Sequence, residues 1–194
     1  MSDLSQAVRR HLQEHFGSDP DVASVTFLGV EKMDVLRFGP GDRDVYHYVS
    51  LGCSRHPMTD PSADVVDPVR GPRAEVVVSL RAGVSTPGLA RSLAVVAATP
   101  AVDGVVLTDD LLVDLSAPLW QGAPFTAVLL GGSGIRELAL EPPRDPVRFF
   151  SAVPITPTEA AWVRLKGAEA MRTAWADDGV DVLDPGRRAS SPKA

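Results

Sequence analysis

Two short runs in this sequence carry residue types that can do chemistry. In His11-Leu12-Gln13-Glu14-His15 two imidazoles stand one helical turn apart with a carboxylate beside them. This is the H-x-x-E-H pattern, in which the histidines hold zinc and the glutamate polarises a water. The pattern needs a further ligand from another element, and here it falls in the last turn of the opening helix, where an imidazole is favoured by the helix dipole alone. A structural role is expected. The second run holds Cys53, Ser54, His56 and Asp60. A thiol or hydroxyl becomes a nucleophile when an imidazole takes its proton. No G-x-S-x-G elbow surrounds either candidate, however, and the partners of a triad usually come from separate elements. Adding His47 gives one cysteine and two histidines without C-x-x-C or H-x-H spacing, a poor donor set for zinc. The expectation is a chain with no catalytic, cofactor-binding or metal-binding residues. The opposing reading is a metal-dependent or cysteine/histidine hydrolase centred on His11 and His15 or on Cys53 and His56.

Other candidates have simpler explanations. Gly131-Gly132-Ser133-Gly134 follows an apolar strand, but no Lys-Ser or Lys-Thr and no helix start lies behind it, so a hairpin turn is expected in place of a phosphate loop. Asp109-Asp110, Asp177-Asp178 and the region of Glu141 fall where solvated loops or helix ends are expected. Trp162 and Trp175 lie on an apolar helical stripe, whereas Trp120 stands in Ser116-Ala117-Pro118-Leu119-Trp120-Gln121-Gly122 and is read as an exposed anchor. His56, Met58 and Asp60, at the entry to a Pro- and Asp-rich loop over 59–72, are read with Trp120 as partner-contacting residues.

The elements that must position these side chains follow from periodicity. Leu4, Ala7, Val8, Leu12 and Phe16 predict an amphipathic helix over 3–16 that stops at Gly17. Residues 25–28, 35–38 and 45–51 predict an antiparallel start to a sheet, with a turn at 39–42. The run 74–80 predicts a Val-rich strand. Residues 88–98 predict a helix that Pro100 ends. Further strands are predicted over 105–107, 111–115, 125–130, 135–140 and 147–153. Thr156-Pro157-Thr158-Glu159 is a capping box with proline at the first helical position, and the helix it starts is predicted to run through Trp162, Leu165, Ala168, Met171 and Trp175. Residues 1–184 are expected to form one domain and 185–194 a disordered tail.

Composition bounds the function. With 44% hydrophobic and 23% charged residues the chain reads as globular and soluble, without a membrane-spanning run or a signal peptide. Cys53 is the one cysteine, which fits a reducing compartment and predicts a cytoplasmic protein. A net charge of −6 without a basic block is the wrong sign for gripping nucleic acid.

Four segments together resemble the bacterial suppressor-of-fused (SUFU-like) domain family. They are His15-Phe16-Gly17, the stretch from Tyr48 to Met58, the strand from Ala74 to Leu80, and Phe149 to Glu159. The most specific parts are Ser50-Leu51-Gly52-Cys53-Ser54-Arg55-His56-Pro57-Met58 and Val153-Pro154-Ile155-Thr156-Pro157-Thr158-Glu159. The resemblance implies an α+β fold: a mixed, mainly antiparallel sheet flanked by helices. It also implies a non-catalytic protein-binding role, as an immunity protein against a polymorphic toxin or as a scaffold. In the animal relative an extended peptide is clamped between two domains and added as a strand. This chain has length for one such domain, so no peptide-binding residue is carried over. The partner is expected to be a protein, such as a toxin, and a homodimer formed by a self-associating subunit is the third reading.

Overall fold

The computed structural model describes residues 3–190 apart from 28, 42, 60, 61 and 63–66. In chain order the elements are α1 (Asp3–Phe16), β1 (Asp21–Phe27), β2 (Val30–Phe38), β3 (Val45–Leu51), a 3-10 turn (Cys53–Arg55), β4 (Arg73–Arg81), α2 (Leu89–Asp103), β5 (Leu112–Asp114), β6 (Ala127–Gly132), β7 (Val147–Ile155), α3 (Pro157–Lys166) and α4 (Ala168–Asp177). The strands form one sheet in the order β1-β2-β3-β4-β7-β6-β5. Only the β4–β7 pair is parallel, and the crossover that this demands carries α2, β5 and β6.

The central strand explains the layers. Val76, Val78 and Leu80 pack beneath α2 with Met33, Val35, Leu130 and Phe150. Val77 faces the other way, against α1, with Leu36, Phe38, Val49 and Phe149. A strand buried on both faces has no polar phase, which is why 74–80 reads as an almost continuous apolar run. Farther along that second face α3 and α4 cover Ala127, Leu129 and Ile155. Each fully buried large side chain stabilises this sandwich by roughly 1.5–3 kcal/mol. No helix among the described residues is long and apolar enough to cross a membrane.

Several expectations hold. α1 ends where Gly17, at φ 66°, returns its N–H to the Gln13 carbonyl. The capping box is complete: Thr156 Oγ1 accepts from the Glu159 N–H at 3.2 Å, and Glu159 Oε2 accepts from the Thr156 N–H at 2.9 Å.

Others are corrected. α2 does not stop at Pro100 but continues to Asp103. Proline removes the N–H that the Val96 carbonyl would accept, and the Thr99 hydroxyl donates to that oxygen instead at 2.8 Å. Residues 105–107 form no strand, and 135–140 contribute a single bridge, Leu138 to Val147, before the Pro142-Pro143 pair. Gly131–Gly134 is therefore not the turn of a hairpin between long strands. The helix begun at Pro157 breaks at Gly167, whose φ of 90° starts a new helix direction, and this leaves Leu165 71% exposed. Trp120 is not an exposed anchor: it is buried against Phe125, with ring centroids 5.4 Å apart. The supposed disordered tail is ordered over 185–190, where Arg187 and Ser190 are buried. Residues 191–194, the rest of that tail, lie outside the described residues.

Candidate interaction site

The stretch Ser50 to Met58 is built around a carboxylate that the sequence hides in a strand. Glu75 is fully buried. Its oxygens accept from Ser50 Oγ at 2.5 Å, the Gly52 N–H at 2.9 Å, the Ser54 N–H at 3.1 Å and Ser54 Oγ at 2.6 Å. Burial pushes its pKa up and these donors pull it back only in part, so the net shift is upward. The spacing Ser-x-Gly-x-Ser is therefore a ring of donors closed by the 3-10 turn, and Gly52, at φ 141°, supplies the sharp entry. Arg73 holds the carbonyl side of the same turn, donating to Ser54 O at 2.9 Å, Arg55 O at 2.8 Å and Val69 O at 3.1 Å. Across the mouth of the loop, the Met58 N–H donates to Pro72 O at 2.7 Å.

This arrangement uses up the groups that could have been reactive. Burial, then the nearby Glu75 charge, pushes the Cys53 thiol well above its usual range, so it stays a protonated, weak nucleophile. His56 points to solvent and meets Glu31 at 3.4 Å. Met58 is buried, and its sulfur accepts from the Leu107 N–H at 3.3 Å. Asp60 lies outside the described residues. Of the four residues read from sequence as partner-contacting, His56 is thus the one the structure places at the surface. A groove of about 500 Å³ runs between this turn and the end of α2, lined by Glu31, Cys53, Arg55, His56, Ala97 and Ala101 among others.

The His11/His15 pair is also engaged. His11 Nε2 lies 2.7 Å from the Arg136 carbonyl, and its ring stacks on Phe149. His15 sits edge-on to Phe16, which stacks in turn on His47, and His47 Nδ1 lies 2.8 Å from Ser79 Oγ. No group of three or more His, Cys, Asp or Glu side chains able to share a metal ion occurs among the described residues. Burial, then the neighbouring imidazole, lowers the pKa of both His15 and His47. A histidine lowered in the folded state contributes stability above its unfolded value of about 6.5 and loses it as pH falls through the folded value. The melting temperature is therefore expected to fall as pH drops below about 6.5, with a shallower slope in the His15→Gln/His47→Gln variant. An unchanged slope would assign the acid response to other groups.

What remains open is the sheet edge. β5 is three residues long, and Asp114 in it is tied to Arg164 of α3 at 2.6 Å. β1 is seven residues long, pairs with β2 on one side only, and exposes Asp21 to Ser24 and Thr26. Beside it lies a groove of about 370 Å³, lined by Ala23, Val35, Arg37, Tyr46, Tyr48 and Pro87 among others. Arg37 lies 5.0 Å over the Tyr46 ring and pairs with Asp21 at 2.6 Å. Val22 and Val84, about half exposed, stand on the rim. Long, unblocked edges with apolar flanks are templates for another chain. The β-rich run 25–28 predicted the end of β1, but not its start at Asp21 or that its outer side would stay unpaired.

A family model described as Suppressor of fused protein (SUFU) matches residues 29–188. Among solved structures, a SUFU homolog from Neisseria gonorrhoeae is similar at 23% identity and a TM-score of 0.70 over 99% of both chains. A Sufu–Fu complex structure is similar at 16% identity and a TM-score of 0.66, covering 95% of this chain and 91% of the other. The structure of Drosophila Suppressor of Fused is similar at 17% identity and a TM-score of 0.66, and there the chain spans 50% of the relative's length. No curated protein matches the chain.

Proposed function

The chain belongs to the suppressor of fused family, and from that premise we propose that it is a non-catalytic module that recognises a partner protein through the free edge of β1 and the groove beside it. The observation that carries this reading is how the polar residues are spent. Ser50 and Ser54 of one signature segment are spent on the Glu75 carboxylate of β4, and Thr156 and Glu159 of the other on each other, while no strand among the described residues lies against the outer side of β1. An extended segment added there gains main-chain hydrogen bonds, and its alternate side chains reach the Tyr46/Tyr48 groove. The net charge of −6 suits a partner with a basic contact face. A toxin held by an immunity protein, or a client on a scaffold, is a partner of that kind. The free thiol of Cys53 fits a reducing compartment such as the cytoplasm.

The test is quantitative binding of a partner recovered from native cells, measured with the wild-type chain and with Val22→Lys/Ala23→Lys. Lysine on an edge strand disfavours strand addition without touching the core. The expected outcome is at least a tenfold weaker affinity with unchanged melting. Unchanged affinity would move the contact elsewhere, and light scattering that shows a β1-dependent homodimer would make a second copy the partner.

A further inference from the structure

The segment 184–190 is attached to the body through two residues, Arg187 and Ser190, the latter also donating its hydroxyl to Asp178. Arg187 is 4% exposed and Glu159 fully buried. Arg187 Nη1 donates to Glu159 Oε1 at 2.6 Å, and Nη2 donates to Oε2 at 3.0 Å and to the Pro154 carbonyl at 2.8 Å. The guanidinium lies 5.0 Å from the Phe125 ring centroid and 5.4 Å from that of Trp175. Carboxylate fork, carbonyl and two aromatic walls are the features that select a planar guanidinium over a compact ammonium.

The receptor half of this contact also has supports of its own. Glu159 is oriented by the Thr156 N–H at 2.9 Å and by Trp175 Nε1 at 2.9 Å. Thr156, Trp175, Phe125 and Pro154 all belong to the body, whereas Arg187 and Ser190, whose N–H reaches Glu159 Oε1 at 3.2 Å, belong to the terminal segment. A site shaped by its own supports keeps its geometry when the occupant leaves. One donor is left over: Arg187 Nε is buried without a hydrogen-bond partner. The occupant is thus held by its fork and its stacking while part of its hydrogen-bonding capacity is forgone.

We propose that Glu159, Pro154, Phe125 and Trp175 form a guanidinium-binding site, that the chain fills it with its own Arg187 as a tethered ligand, and that it accepts the guanidinium of an arginine side chain presented from elsewhere when Arg187 is absent. Tethering gives the internal arginine the advantage of high effective concentration, so an outside arginine competes only once the segment is displaced.

The test uses the full chain carrying Arg187→Ala and methylguanidinium as the probe. The variant is expected to melt lower than wild type and to be stabilised saturably by millimolar methylguanidinium. Methylammonium at the same ionic strength should not do this. The wild-type chain and the Glu159→Gln/Arg187→Ala double variant should not respond. If Arg187→Ala is recovered only unfolded, its refolding yield with methylguanidinium against methylammonium reads the same site. Equal effects of the two cations, or equal rescue of the double variant, would overturn the proposal.

Discussion

Replacing Glu159 by alanine is expected to destabilise the protein by about 3–5 kcal/mol, the usual cost of leaving a buried charge without its partner. The substitution strands the Arg187 guanidinium and removes the acceptor for the N–H groups of Thr156, Trp175 and Ser190 together. It also removes half of the capping box that starts α3. Denaturant unfolding measures the loss. The variant with both charges replaced, Glu159→Leu/Arg187→Met, should lose less than Glu159→Ala alone, because an apolar pair leaves no orphaned ion. A loss below about 1 kcal/mol for Glu159→Ala, the level of an exposed ion pair, would show that the pair holds nothing together. The pH response follows the same bonds. Burial alone would raise the Glu159 carboxyl, but Arg187, the Thr156 N–H and Trp175 outweigh it and hold the group below its usual value. A carboxylate lowered in this way contributes stability above its unfolded value of about 4.3, and that contribution is lost as pH falls through the folded value.

Replacing Glu75 by alanine is expected to cost about as much, roughly 3–5 kcal/mol, by a different route. Here no ion pair breaks. Two hydroxyls and two N–H groups, from Ser50, Gly52 and Ser54, lose their common buried acceptor. The 3-10 turn should loosen locally, so Cys53 should react faster with a thiol reagent at a pH where the wild-type thiol is inert. Glu75→Gln keeps the shape and one acceptor oxygen and is expected to lose less. If Glu75→Ala matched wild type in both stability and thiol reactivity, the turn would be held by Arg73 alone.

The long-range architecture was legible where a periodic pattern met a stop signal. α1 with Gly17, the valine run of β4, and the Thr-Pro-x-Glu start of α3 all read correctly from residues alone. Expectations failed where one side chain changes the rule for its neighbours. Pro100 ends most helices, but Thr99 supplies the missing donor inside the same turn. Ile135, Leu138 and Leu140 carry a strand's alternation, yet they bury against α1 and Phe149 as a loop with one bridge.

The candidate site was harder to read because its determinants are relations across the sheet. Glu75 inside Ala-Glu-Val-Val-Val looked like a single charged residue. Its meaning appears only when β3 places Ser50, and the 3-10 turn after it places Ser54, around the carboxylate. Arg187 sat in a Pro-Gly-Arg-Arg segment with nothing apolar to bury, and the buried Glu159 carboxylate between the Phe125 and Trp175 rings explains why it folds back. Trp120 had the loop context of an anchor but packs into the core through Phe125. Edge status cannot be inferred from β1 alone, since it depends on the order of all seven strands.

Hydrogen exchange of β1 amides, with the chain free and then bound to its native partner, tests the recognition surface most directly. Free, the outward-facing amides between Asp21 and Phe27 should exchange quickly while β2 and β4 stay protected. Binding should slow those β1 amides and the 84–88 wall of the groove. Protection that appears on another face while β1 continues to exchange at its free rate would contradict strand addition at this edge.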